Sequence, residues 1–108
     1  MAFNRTQTLT ILSGATSSDA FAANNTVAFG LQMPAAFTGT SITFTVSADG
    51  TTFQALYDST GATAVSMTVA ASRSYDLPTA LTTWKQFKIV SGSAEGADRS
   101  LVVIGKAA

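Results

Sequence analysis

The chain has 108 residues, 46% of them apolar and 11% charged, with six Lys and Arg balancing six Asp and Glu. That length and apolar share suit one domain with a packed core, and the sparse, balanced charge argues against a nucleic-acid surface, which shows as a clustered basic excess. Cysteine and histidine are absent, which removes disulfides, thiolate metal sites and every nucleophile arrangement that needs an imidazole base.

Met1 to Arg5 reads as an N-terminal arm. The opening MAFNRTQTLTILSG lacks the basic, apolar and small-residue sections of a signal peptide. No apolar run approaches the roughly 20 residues of a membrane span. The expectation is therefore synthesis in the cytoplasm, no export by the usual route, and no membrane partner. Thr6 to Leu12 sets Leu9 and Ile11 between threonines and predicts a first strand. SGATSS (13–18) is a loop of small residues. Asp19 to Ala23 fits either a short strand or one helical turn opened by Asp19, and Asn24-Asn25 then reads as a turn.

Val27, Phe29, Leu31 and Met33 alternate with other residues and predict a strand with those four facing inward, stopped by Pro34. Ser41 to Ala48 alternates Ile42, Phe44, Val46 and Ala48 with hydroxyl residues, the pattern of a half-buried strand. Asp49-Gly50 supplies a turn dipeptide, and Phe53 to Tyr57 resumes as a second strand, giving a hairpin. A hairpin with one apolar face needs another sheet to cover it. Ala64 to Ala70 and Arg73 to Leu77 are further short strands, the latter closed by Pro78. Thr79 to Thr83 predicts one turn of helix with Thr79 as N-cap. Trp84 to Val90 is a strand with Phe87 and Ile89 on one face. SGSAEG (91–96) is a loop, Leu101 to Ile104 an apolar strand buried on both sides or at a subunit contact, and Gly105 to Ala108 a tail. Seven or eight short strands with turn signals between them point to an all-β chain: a single antiparallel sandwich or jelly-roll-like domain over residues 1–108.

Little in the chain carries reaction chemistry. Asp49 and Asp58 flank one hairpin, as a pair of carboxylates acting on a glycoside would, yet both are explained as turn and strand-end residues. No Asp-rich loop suits calcium, no G-x-S-x-G elbow occurs, and the glycine loops lack the lysine of a phosphate cradle. No cofactor or metal is implied. Arg73, Lys85, Lys88 and Arg99 read as separate solubilising charges. Trp84, Tyr57 and Tyr75 are the residues a sugar-binding module would stack on pyranose faces; the same rings also fill sandwich cores with their polar tips at the edge, and core placement is the preferred reading.

The phrases SITFTVSADGTTFQALYDSTG, VAASRSYDLP and FKIVSGSAEGADRSLVVIGK, spread over residues 27–106, resemble those of small virion proteins of tailed bacteriophages. More loosely, the VSADGTTF hairpin is similar to that of discoidin-like and galactose-binding jelly rolls. The phage resemblance implies a non-enzymatic β-sandwich present in many copies on the particle, most like a head decoration (cement) protein on the outer head surface. Its partners would then be the major capsid protein and copies of itself, without nucleic acid. On that reading the contacts are expected from the N-terminal stretch, Ala2, Phe3, Asn4 and Arg5 on into Leu12, and from Leu101, Val102, Val103 and Ile104. Two alternatives stand beside it: a glycan-binding module that touches the host surface through Trp84, Tyr57 or Tyr75, and a tail or head–tail connector subunit.

Overall fold

Two antiparallel sheets face each other in the computed structural model, which describes residues 4–23 and 26–107. Nine strands occur among the described residues: β1 (Asn4–Ile11), β2 (Phe21–Ala22), β3 (Thr26–Gln32), β4 (Ser41–Ser47), β5 (Gln54–Ala55), β6 (Ser66–Thr68), β7 (Ser74–Asp76), β8 (Gln86–Ser91) and β9 (Arg99–Ala107). One sheet runs β1-β9-β3-β7; the other runs β2-β8-β4-β5, with β6 also paired to β4. The fold is the expected all-β sandwich.

Period-2 alternation builds the core, because successive side chains on a strand point to opposite faces. Leu9 and Ile11 of β1, Leu101 and Val103 of β9, and Phe29 and Leu31 of β3 face inward from the first sheet. Ile42, Phe44 and Val46 of β4 meet them with Phe87 and Ile89 of β8. Phe21, Phe29 and Phe87 cluster, with ring centroids 5.1–5.5 Å apart, the spacing favoured by edge and tilted aromatic pairs. Gly105 belongs to this packing: a Cβ there would come within 2.9 Å of the Thr26 methyl.

The flank beside β1 is closed by side chains. Gln7 Nε2 donates to the Ala20 carbonyl at 3.0 Å, the Arg5 guanidinium donates to the Ala22 carbonyl, and Thr10 N–H donates to Asp19 Oδ1 at 2.7 Å. The same segment runs along β8, where Ser18 N–H donates to the Ile89 carbonyl and Phe21 pairs with Phe87. Residues 17–22 therefore stitch one sheet to the other.

Several expectations change. Met1 to Arg5 was expected as an arm; residues 1–3 lie outside the described residues, as does the Asn24-Asn25 turn, but Asn4 and Arg5 pair with Lys106 and Gly105 inside β1. The expected tail likewise lies in β9 as far as Ala107, Ala108 being outside the described residues. Val27 points outward and is 54% exposed, because a register shift between Thr26 and Ala28 turns Thr26 inward in its place. Ser47, not Ala48, is the next buried position after Val46. The hairpin after β4 is looser than a two-residue turn: only Thr45 and Val46 pair with β5, and the long partner of β4 is β8. Asp19 to Ala23 resolves as the short strand β2. Thr79–Thr83 is a 3₁₀ turn whose N-cap is Pro78, without a side-chain cap bond.

Candidate functional site

The end of the sandwich where β4 finishes carries a cleft of about 290 Å³, lined by Val46, Ala48, Asp49, Gln54, Tyr57 and Trp84 among others. Its shape follows from local chemistry. The buried Ser47 hydroxyl accepts from Gly50 N–H at 2.8 Å and donates to Asp49 Oδ1 at 2.9 Å. Asp49 Oδ1 accepts from Thr51 and Thr52 N–H at 2.8 and 2.9 Å, and Gly50 takes φ +84°, a conformation that costs glycine no steric penalty. Those donors, Thr52 and Thr51 first and then the Ser47 hydroxyl, hold the Asp49 carboxyl down at about 2. It is thus ionised and acceptor-only in ordinary conditions.

Two of the three aromatic candidates meet here. Tyr57 follows β5, bridges to Ala64 and is 53% exposed. Trp84 follows the 3₁₀ turn, half-buried against the core, and is tethered because the next residue, Lys85, donates its N–H to the Ser47 carbonyl at 3.0 Å. Tyr75 is elsewhere. It pairs with Leu31 in the other sheet, and its hydroxyl accepts from Ala70 N–H at 2.9 Å.

The outer face of the β1-β9-β3-β7 sheet is the second surface of note. Register places Thr6, Ile104, Gly30 and Asp76 in one row and Thr8, Val102, Gln32 and Ser74 in the next. The missing side chain at Gly30 leaves a groove of about 440 Å³ beside Ile104, which is 37% exposed. The proposed contacts in β9 therefore divide. Val102 and Ile104 face outward, whereas Leu101 and Val103 are wholly buried core residues with no surface to give a partner. Asn4 and Arg5 are both exposed in β1, and the Arg5 guanidinium is turned to the Ala22 carbonyl and lies 5.0 Å from the Phe21 ring centroid. Ala2 and Phe3 lie outside the described residues.

Most carboxylates hold backbone together. Asp19 and Asp98 accept from Thr10 and Ser13 N–H at 2.7 Å, and Asp58 accepts from Thr60 N–H and hydroxyl in the turn that Gly61 completes. The Thr60 hydroxyl, with neighbouring N–H groups, lowers the Asp58 carboxyl. Asp49 is the turn residue its sequence context suggested, whereas Asp58, expected at the end of a strand, opens a turn, because β5 stops at Ala55. Glu95, read from sequence only as part of a loop, is buried at 2% exposure. Its carboxylate accepts from Thr38 N–H and Arg99 Nε at 2.9 Å, from the Thr38 hydroxyl at 2.9 Å and from Gly39 N–H at 3.1 Å. Burial alone would push this carboxyl up; Arg99 and Thr38 outweigh it and hold the group below its ordinary value. The signal was present: Glu95 and Arg99 stand four apart in a chain with few charges. Among the described residues no group of three or more His, Cys, Asp or Glu is placed to hold a metal, and no helix is long and apolar enough to cross a membrane. Lys88 lies over Phe53, its Nζ 4.4 Å from the ring centroid.

No protein-family model matches the chain, and no curated protein does. Among solved structures it is similar to the SPBc2 prophage-derived protein YomS, with a TM-score of 0.59 over 97% of this chain and 96% of that one, at 15% identity. A weaker likeness, TM-score 0.49 at 12% identity over 98% of this chain and 87% of the other, is to a protein of Bacillus endospore appendages, described as a family of disulfide-linked pili. The first likeness shows a shared sandwich fold from one end of the chain to the other.

Proposed function

We propose that the chain is a non-enzymatic structural protein of a tailed-phage particle, carried in many copies on the outer surface of the head, where it braces the shell. The observation that carries this reading is the end-to-end fold shared with a prophage-derived protein, joined to the phage-virion phrasing of residues 27–106. The outer sheet face supports it. Its rows are hydroxyl, amide and small apolar side chains, with Asp76 and Lys106 the charges among the outward residues of its paired rows. Such a face loses little on leaving water, because it has few charges to desolvate. Repeated over a closed shell, modest contacts of this kind add through multivalency. In this reading Ile104 and Val102 meet the major capsid protein or the next copy, and Asn4 borders the patch.

The test is the amount of this chain per purified particle relative to the major capsid protein, with wild type and Ile104→Arg compared. Near parity for wild type, and release of the folded variant from heads, is the expected result. A copy number many times below that of the shell subunit would place the chain in a tail or appendage and overturn the head assignment.

A further inference from the structure

We propose that the cleft between Tyr57 and Trp84 binds a neutral pyranoside, one sugar face against the aromatic side chains and a ring hydroxyl donated to Asp49. Four observations lead there. The cleft brings together two aromatic residues that lie far apart in sequence, at the mouth of the sandwich, with Val46 and Leu56 of the core among its lining. Tyr57 is 53% exposed while its backbone is pinned by the bridge to Ala64, so binding costs no backbone freedom there, only that of the side chain. Asp49 is held in place before any ligand arrives, its three bonds from Ser47, Thr51 and Thr52 all falling on Oδ1, so Oδ2 is the acceptor left over. Gln54 and Thr52 add exposed polar groups to the same rim.

The charge of the lining selects the ligand. No Lys or Arg lines the cleft, and the Asp49 carboxylate repels phosphates and acidic sugars, so anionic glycans and nucleotides are disfavoured. A proline-rich peptide also docks on aromatic grooves. It offers carbonyls rather than donors, however, because proline has no N–H, and a carboxylate only accepts. Sugar hydroxyls donate. The cleft is independent of where the chain sits on a particle, so failure of the head assignment leaves this inference standing, and the reverse also holds.

Trp84 is the sole tryptophan, which makes its fluorescence a reporter of this cleft alone. The experiment titrates the full chain with maltopentaose, cellopentaose, chitopentaose and neutral bacterial surface polysaccharide, with a proline decapeptide and a sialylated oligosaccharide as competitors for the assignment. Expected is a saturable shift of Trp84 emission by at least one neutral glycan, with Kd on the order of 1 mM or tighter. Tyr57→Ala, an exposed change that leaves thermal unfolding in place, should weaken it about tenfold, the factor that ~1.4 kcal/mol of aromatic contact represents. No saturable shift with any neutral glycan overturns the proposal, as does a response to the peptide or the sialylated probe alone. A glycan response that Tyr57→Ala leaves unchanged overturns it too.

Discussion

Glu95 concentrates more of the fold in one side chain than any other acidic residue described. It receives N–H and O–H donors from the Thr38–Gly39 turn and Arg99 from the start of β9, while its own carbonyl accepts from Gly14 N–H at 3.0 Å. Three loops at one end of the sandwich thus converge on one residue, two through its carboxylate and one through its backbone carbonyl. Removing one partner of a buried ion pair strands the other, so Glu95→Gln should cost about 3 kcal/mol in urea unfolding. The pH dependence has a definite sign. The unfolded carboxyl takes its proton near its ordinary 4.5 while the folded one resists to lower pH, so the unfolded state binds more protons as the solution acidifies. The Glu95 contribution is therefore complete above about pH 5 and is lost as pH falls through the depressed folded value. Glu95→Gln should flatten that part of the acid limb; an unchanged slope would remove Glu95 as its source. The four-residue spacing to Arg99 was legible in the sequence, but the long-range contacts were not, because a loop glutamate looks solvated until the fold brings the Thr38–Gly39 turn over it.

At the scale of elements, alternation reads strands well and their faces less well. Phe29, Leu31, Met33, Ile42, Phe44, Val46, Phe87 and Ile89 are all buried where period 2 puts them. Val27 is not, since one extra residue in β3 against β9 reverses the faces before it. A bulge is a property of two strands aligned together, and no pattern within β3 alone announces it. The consequence is measurable. Val27→Thr should change stability by no more than about 0.5 kcal/mol, as exposed substitutions do. Leu31→Ala, two alternations further along the same strand, should cost about 2–5 kcal/mol. Equal costs would mean that the bulge is absent in solution. The same logic applies to the Leu101–Ile104 run, which looks uniformly apolar and yet divides into two core residues and two outward ones.

For the molecule as a whole, composition and strand spacing disclosed a sandwich, but which strand neighbours which was out of reach. β1 pairs with β9 and β4 with β8, contacts between segments distant in sequence, and loop closure rather than local pattern decides such pairings. The Tyr57–Trp84 cleft has the same origin: each aromatic was visible, their meeting was not. The result is a slab of 38 × 34 × 23 Å, with the cleft at one end, the Glu95 junction at the other and the hydroxyl-rich sheet across one broad face. Under the proposed head placement, a subunit of that shape would meet the shell through its face and still keep the cleft turned to solvent.

Asn4 stands directly across from Lys106, and Ile11 from Arg99. Tension applied at Asn4 and Lys106 would therefore open the β1–β9 ladder rung by rung, like a zipper, whereas tension between Asn4 and Arg99 would drag the two strands lengthwise and strain every rung together. With no native cysteine to interfere, paired anchors made by Asn4→Cys with Lys106→Cys and Asn4→Cys with Arg99→Cys can be pulled in single-molecule experiments. The first geometry should yield at clearly lower force than the second. A subunit built this way is a poor rope and a good tile: a load hung from the joined ends of β1 and β9 peels it, while pressure spread across the sheet face does not.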